Sequence, residues 1–248
     1  MEFRKKLIDV NRKYKAELSE ILNFADTTER HLTTQFNALP EGGNIKELRD
    51  VANAILSTCE TGSAMSIKVS SGTAKLIKEK LVPFKHKRFL MDMTLSYLIS
   101  YQESMFKDYI FCVLVSQPNS LKSKNTITYV DLLNYESMED VIKFLAQKEV
   151  EQLGHGSIND MSDYLCKKFK LDLTNFAKWS EVVEATFRRN LVIHNKGVTN
   201  DVYCKLTGYN ERGVHLDIDI EYIVSSAQNL IDLNDFMFST LLKKFKLS

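Results

Sequence analysis

The sequence predicts an all-α protein, and three observations support that fold class. Glycine and proline are scarce, at 9 and 3 of 248 residues, whereas turn-rich β proteins use both freely. Apolar residues recur every three or four positions over long stretches, which is the period of an amphipathic helix. Short segments rich in Gly, Asn and Ser interrupt that pattern. We therefore expect long helices joined by short loops.

The first half of the chain contains three predicted helices. Residues 2–24 form the first, and Asp26-Thr27-Thr28-Glu29 predicts a break and the N-cap of a second helix that runs to about Ala38. Residues 45–59 form the third. The alternation in residues 66–70 predicts a short strand, although a Ser-Ser-Gly sequence follows immediately.

The second half is predicted to contain longer and more apolar helices. The first spans residues 89–115, and Ser137 caps a helix that ends near Leu153. Ser157 or Asn159 caps another helix, from Met161 to Phe169. The remaining expectations are a helix capped by Asn175, an irregular segment from Val198 to Tyr203, and a final helix from Ile220 to Leu242.

Residues 75–88 are the most basic window of the chain, with six Lys and Arg against one Glu and with Pro83 inside it. The window is either a solvated helix face with a hinge or a strip that contacts phosphates. It is also the predicted junction between an N-terminal part, residues 1–87, and a domain of residues 88–248.

Charge and cysteine content narrow the class of protein. The formal net charge is +1, so no global field attracts the chain to nucleic acid or membrane, and any polyanion site must be a local patch. The four cysteines are widely spaced, which suits a reducing cytoplasm. The sequence begins without a signal-peptide pattern and has no membrane-length apolar run, so we expect a cytoplasmic protein with no membrane partner.

Several catalytic signatures are missing from the sequence. It has no GxxxxGK[ST], GxGxxG, HExxH or GxSxG motif, so phosphate-loop, dinucleotide, zincin and serine-hydrolase functions have no support. The five histidines have no metal-ligand spacing with one another or with cysteine. We expect neither a metal nor a cofactor.

One polar segment near a predicted helix end has the residue types for chemistry. It reads Arg189-Asn190-Leu191-Val192-Ile193-His194-Asn195-Lys196-Gly197, with an apolar triplet inside it. Histidine is suited to moving a proton near neutral pH, and arginine to stabilising charge on a phosphate. Asn190 could bind a non-bridging oxygen or orient the imidazole. The alternative is structural, with Arg189 and His194 forming caps or ion pairs within a helical bundle.

This segment resembles the signature of HEPN-domain proteins, in which an Arg, often followed by Asn, precedes a His by four to six residues. The resemblance continues through Val198-x-Asn200-x-x-Tyr203 and covers roughly residues 88–242. Upstream segments are similar to a bacterial subgroup of the family; they are Glu103-Ser104-x-x-x-Asp108, Lys124-x-Thr126-Ile127-Thr128-Tyr129, Glu139-Asp140-Val141-Ile142 and Glu149-Val150-x-x-Leu153-x-x-Gly156-Ser157.

The resemblance implies an up-and-down helical bundle that dimerises through the motif helix and acts as a metal-independent endoribonuclease. Arg189 and His194 would be the catalytic pair, with Asn190 as the polar position of the motif. Glu103, on the facing helix, would orient Arg189 or His194, and Asn195 and Lys196 would support the site. Residues 1–87 lie outside the resemblance, and we interpret them as a helical extension that recognises a partner or covers the site.

Three functions are compatible with these features. The first is an RNA-cleaving toxin or anti-phage effector that acts as a homodimer and is restrained by an antitoxin or defence partner. The second is a non-catalytic HEPN module that binds a partner protein or a nucleotide, and the third is a structural helical adaptor. Basic strips at residues 75–88, 167–170 and 243–246 could form an RNA groove if they converge.

Overall fold

The fold is all-α, as the sequence predicts. A computed structural model describes residues 2–37, 82–122, 126–153 and 157–247. Within these ranges there are eight α-helices and no strand, and the only β pairing is one isolated antiparallel bridge. The helices are α1 (Glu2–Asn37), α2 (Val82–Ser116), α3 (Tyr129–Leu132), α4 (Met138–Leu153), α5 (Ile158–Phe169), α6 (Trp179–Asn195), α7 (Asp201–Thr207) and α8 (Ile220–Lys244).

The chain is divided into two compact units. Unit 1 contains residues 1–20, 97–188 and 225–248, and unit 2 contains residues 21–96 and 189–224. Among the described helices, α1, α2, α6 and α8 contribute residues to both units. The predicted division at residue 87 remains a prediction.

The N-terminal helix is tied into unit 1 by partly buried polar contacts. Tyr14 Oη donates a 2.8 Å hydrogen bond to Asp108, and Lys13 Nζ lies 3.0 Å from the same carboxylate. Asn11 Nδ2 donates to Asp235 Oδ1 at 3.0 Å, and Lys15 Nζ lies 2.7 Å from Asp235 Oδ2. These contacts join residues that are far apart in the sequence. The first half of α1 therefore packs in the same unit as the middle of α2 and most of α8.

A buried hydrogen-bond network lies beneath these contacts. Tyr109 Oη donates to Asn234 Oδ1 at 2.7 Å, and Asn234 Nδ2 donates to the backbone oxygen of Asn11 at 2.8 Å. Tyr109 and Asn234 are 1% and 0% exposed, so these bonds satisfy groups that would otherwise be costly to bury. They join three helices of unit 1 at one level of its core.

Unit 2 has its own small apolar core. Its most buried apolar side chains come from five helices and one loop; they are Ala25, Met91, Leu95, Leu191, Tyr203, Ile218 and Ile223. The carboxylate of Glu29 on α1 pairs with Nζ of Lys87 on α2 at 2.5 Å. This unit contains the end of α6, and with it the segment that the sequence marks as functional.

The predicted break within the N-terminal helix is wrong. Helix α1 continues through residues 26–29 to Asn37. Asp26 does not cap a new helix, because its carboxylate pairs with Arg30 one turn later at 2.6 Å, which stabilises a continuing helix. The same residue types can form an N-cap or an i,i+4 ion pair. At Asp26 the ion pair with Arg30 forms.

Other helix boundaries also differ from the predicted ones. Pro83 lies in the first turn of α2, where a missing N–H costs nothing, and the part of the basic window before it falls outside the described residues. Asn175 lies in a short 3₁₀ helix, Leu173–Asn175, rather than at the start of α6. Within the segment predicted to be irregular, the side chain of Asn200 accepts from the amide of Tyr203 and caps α7.

Two predicted caps are confirmed, and several predictions lie outside the described residues. Ser137 Oγ accepts from the amide of Asp140 at 3.2 Å, and Ser157 forms a reciprocal capping box with Asp160. The predicted helix over residues 45–59, the strand over 66–70 and most of the basic window at 75–81 fall outside those ranges.

Candidate functional site

The candidate site is formed at the C-terminal end of α6. Because the helix is unbroken from Trp179 to Asn195, Asn190 and His194 are one turn apart on the same face. The helix then closes through two left-handed residues, Lys196 with φ 53° and Gly197 with φ 78°. The amide of Gly197 donates to the backbone oxygen of Leu191 at 3.0 Å, which is the helix-ending pattern that the glycine predicts.

Arg189 is connected to this face by its neighbour in sequence. Its Nη1 donates a 3.1 Å hydrogen bond to Oδ1 of Asn190. Arg189 and His194 are five positions apart, which on a helix separates the directions of their side chains by about 140°. The hydrogen bond draws the guanidinium around the helix toward the face that Asn190 shares with His194.

The preceding arginine is used differently. Arg188 Nε lies 2.7 Å from the Glu184 carboxylate one turn earlier, in a half-buried i,i+4 pair. The two adjacent arginines therefore have different local partners, because one is held by a carboxylate along the helix and the other by an amide oxygen of the motif. Substitution of Arg188 can therefore serve as a control for substitution of Arg189.

The remaining residues of the segment differ in how accessible they are. His194 and Lys196 are exposed, whereas Arg189, Asn190 and Asn195 are half-buried. Asn195 uses its side-chain amide to donate a short hydrogen bond to the backbone oxygen of Val198. Its role in this structure is to close the turn after α6.

A pair of extended segments holds the turn that follows the helix. The amide of Thr199 donates to Val214 O at 2.9 Å, and the amide of Leu216 donates to Gly197 O at 3.0 Å. The buried hydroxyl of Thr199 donates to Glu211 O at 2.8 Å and accepts from the amide of Val214 at 3.0 Å. Residues 197–199 are thereby fixed against 211–216, and the end of α6 is anchored.

The imidazole of His215 packs directly against Gly197. A β-carbon at position 197 would lie 2.8 Å from Nε2 of His215, so any other residue would have to displace the ring and adopt a left-handed backbone. The ring Nδ1 lies 3.1 Å from Oδ1 of Asp217, and Nε2 is in close contact with Nη2 of Arg88.

Asp92, one turn after Arg88 on α2, belongs to the same cluster. Burial raises the pKa of the Asp92 carboxyl, and the positive charges of Arg88 and His215 oppose that rise only in part. Neither Asp92 nor His215 was predicted as a site residue. Sequence spacing could not have identified these two residues. His215 lies 18 positions beyond Gly197 in the sequence, and the β bridge between Val198 and His215 brings it next to Gly197.

Glu103 belongs to the other unit. It is exposed on α2 and lines a small cavity of unit 1 with Gln102, Lys107 and Thr186 among its neighbours. Arg189 and His194 belong to unit 2. The expectation that Glu103 orients either of them stays a prediction.

Several cations of the basic strips at residues 75–88 and 167–170 are engaged by other side chains where the structure describes them. Lys168 forms a short ion pair with Glu149, and Lys167 lies 3.0 Å from Asp163. In unit 2, Lys87 pairs with Glu29 and Arg88 contacts His215. Of these four cations, the three lysines are paired with carboxylates, so the strips do not by themselves define an RNA-binding groove.

The described residues contain neither a clustered metal-ligand set nor a membrane-spanning helix. No group of three or more His, Cys, Asp or Glu side chains in these ranges is arranged to hold a metal ion. Similarly, none of the described helices combines the length and the apolar character needed to cross a membrane.

Comparisons with known proteins do not extend the HEPN resemblance. Neither the protein-family models nor the curated proteins nor the solved structures gave a match to this chain. Any function assigned to the chain therefore depends on the residues and geometry described above.

Proposed function

We propose that this chain is a metal-independent endoribonuclease of the HEPN type. The proposal is supported chiefly by the hydrogen bond from Arg189 to Asn190, which draws a guanidinium toward the helix face of an exposed histidine, His194. A structural cap has no need of that combination, because Asn195 and Gly197 already close the helix. An exposed imidazole is also open to a substrate.

In the proposed reaction, the 2′-hydroxyl of RNA attacks the adjacent phosphorus and the bond to the 5′-oxygen breaks. The products are a 2′,3′-cyclic phosphate and a 5′-hydroxyl. His194 moves a proton from the attacking hydroxyl or onto the leaving oxygen. Arg189 stabilises the negative charge that grows on the non-bridging oxygens, and Asn190 positions the guanidinium.

We further propose that a second copy of the chain completes the site. The reaction needs two proton transfers, and each chain supplies one histidine in the motif. Ile193, beside His194, is 52% exposed, and Val202 on α7 is 62% exposed. Large apolar side chains exposed next to a polar cluster favour a surface that another copy covers.

The same proposal covers where the enzyme acts and which RNA it cleaves. A ribonuclease of this kind would act in the cytoplasm on cellular or invading RNA, as a toxin or anti-phage effector. A partner protein would restrain it. The test of the reaction does not depend on this setting, since it needs only the purified chain and RNA.

The decisive experiment compares wild type, His194→Ala, Arg189→Ala and Arg188→Ala on mixed RNA in EDTA. We expect cleavage with cyclic-phosphate ends by wild type and by Arg188→Ala, and losses of at least about 100-fold in the other two. Cleavage that is equal in all four would refute the site. If no RNA is cut, the chain is better explained as a non-catalytic module that binds a protein or nucleotide.

A further inference from the structure

The segment around α3 and the start of α4 exposes an unusual amount of apolar surface. Tyr129, Val130, Leu133 and Met138 are 86%, 74%, 82% and 68% exposed. All four lie within ten residues of sequence in unit 1. Isolated exposed apolar residues are common, whereas several together mark an interaction surface.

This surface is presented by local structure that is well held. Thr128 Oγ1 accepts from the amide of Asp131 at 3.1 Å and so caps α3. The rings of Tyr135 and Phe144 lie 5.2 Å apart and join the loop to α4. The apolar side chains are therefore held at the surface by a capped turn and an aromatic contact.

The charged side chains within residues 128–140 are all acidic. Residues 126–144 contain four carboxylates, Asp131, Glu136, Glu139 and Asp140, and one cation, Lys143. Lys143 Nζ lies 2.9 Å from Glu139 and 3.8 Å from Asp140, so it offsets part of that charge. Two further lysines, Lys122 and Lys148, line the neighbouring groove, and the Glu149 that lines it with them is paired with Lys168. Around the surface, the four carboxylates therefore stand against three lysines, Lys122, Lys143 and Lys148.

The acidic residues of this surface limit the kinds of molecule that can bind to it. RNA and anionic lipid carry negative charge and would be repelled. A second copy in a symmetric dimer would place the same carboxylates opposite one another, which is also unfavourable. A protein segment with apolar residues on one face and lysine or arginine on the other complements both the apolar centre and the acidic edge.

We propose that this acidic-rimmed surface, residues 128–140, binds a basic amphipathic helix of a partner protein. The surface lies in unit 1, whereas the candidate catalytic residues lie in unit 2. The proposal does not depend on ribonuclease activity, so binding can be measured whether or not the chain cleaves RNA.

The test uses a fluorescent 18-residue helical peptide with Leu at i, i+3, i+4 and i+7 spacing and Lys elsewhere, and a second peptide with Glu replacing Lys. We expect wild type to bind the Lys peptide at least about tenfold more tightly than the Glu peptide. Leu133→Ser and Glu136→Lys should each weaken binding of the Lys peptide about five- to tenfold.

Two control variants test whether the peptide binds to this surface or is attracted to the protein nonspecifically. Glu151→Lys reverses an exposed carboxylate near the other end of α4, and Phe24→Ser removes an exposed apolar residue of unit 2. Both should bind the Lys peptide as wild type does. Circular dichroism confirms that every variant is folded, which is expected because all the altered side chains are exposed.

The contrary results are equally definite. The proposal fails if the Lys peptide does not bind, if Leu133→Ser and Glu136→Lys bind it as wild type does, or if the matched variants lose binding equally. Vesicles of phosphatidylcholine form the last arm. Vesicle binding that depends on Leu133 in place of peptide binding would overturn the protein partner in favour of a lipid surface.

Discussion

Nη1 of Arg189 donates to Oδ1 of Asn190 at 3.1 Å, so two consecutive residues of one helix are joined through their side chains. Consecutive positions on a helix diverge by about 100°, and such pairs do not normally meet. The long arginine side chain crosses that angle and brings its charge toward the face of His194. The relationship makes Asn190 a positioning residue for the proposed reaction.

Substitution of Asn190 tests that relationship. Asn190→Ala removes the acceptor for Arg189, and we expect RNA cleavage to fall about 10- to 100-fold because the guanidinium is no longer drawn toward the helix face of His194. Asn190→Asp keeps an acceptor oxygen and should retain more activity. Single-turnover rates measure both. An Asn190→Ala enzyme that is as fast as wild type would leave Asn190 without this role.

Arg188→Ala is the matched control for the arginines. It breaks the pair with Glu184, so we expect a loss of about 0.3–0.5 kcal/mol in the free energy of unfolding. The cleavage rate should be unchanged. Urea unfolding followed by circular dichroism gives the first quantity, and the same RNA assay gives the second.

The exposed Ile193 tests the need for a second copy. Ile193→Glu introduces a charge beside His194, and we expect it to convert a dimer to a monomer and to lower cleavage at the same protein concentration. Sedimentation velocity measures the assembly state. Val130→Glu alters a β-branched residue of unit 1 that is 74% exposed, against 52% for Ile193, and should leave both assembly and cleavage unchanged. An active Ile193→Glu monomer would show that one chain is sufficient.

Gly197 is expected to be more sensitive than other left-handed glycines. Gly197→Ala meets both a left-handed backbone, φ 78°, and the imidazole of His215 at 2.8 Å. Gly208→Ala meets only the backbone cost, since φ is 76° and no atom lies within 4 Å of the added carbon. We expect about 1 kcal/mol of destabilisation for Gly208→Ala and at least about 1 kcal/mol more for Gly197→Ala.

A double variant isolates the contact with His215. In the Gly197→Ala background, His215→Ala should recover much of the excess cost, because the clashing ring is gone. Thermal or urea unfolding of the four proteins closes the cycle. If the two substitutions are simply additive, the ring does not cause the sensitivity of Gly197.

The carboxylate of Asp235 contacts Asn11 and Lys15 of α1, so we expect low pH to weaken the packing of this helix. Burial would raise the pKa of this carboxyl, but hydrogen bonds from Asn11 and Lys15 and the charge of Lys15 outweigh it and lower the pKa below its ordinary value of 3.8. A lowered folded-state pKa means that the ionised group stabilises the fold above about pH 4. That contribution is lost as the pH falls through the folded-state pKa.

The pH dependence can be assigned with one substitution. Asp235→Asn should be less stable than wild type at pH 7, and the difference in unfolding free energy should shrink between pH 4 and pH 2. Urea unfolding at pH 7, 4 and 2 measures the difference. Asp163→Asn, at an exposed pair with Lys167, is the control and should show a much smaller change with pH. A constant difference for Asp235→Asn would contradict the assignment.

Much of the helical structure could be predicted from the sequence because its causes are local. Apolar spacing predicts α2, α4, α5 and α8 to within a few residues at most ends, apart from the seven-residue earlier start of α2. Ser137 and Ser157 are recognised as caps because each side chain bonds to an amide three residues away. The break predicted at residues 26–29 is wrong because local rules allow both a cap and a pair there, and the pair of Asp26 with Arg30 forms.

The candidate site shows the same division between local and distant causes. The sequence alone determined that Asn190 and His194 share a helix face and that Gly197 ends the helix, since both follow from helical geometry. Only the tertiary structure decided that Arg189 turns toward Asn190 and that His215 packs on Gly197. A side-chain rotamer and a contact 18 residues away depend on packing between elements, which no spacing within one helix can specify.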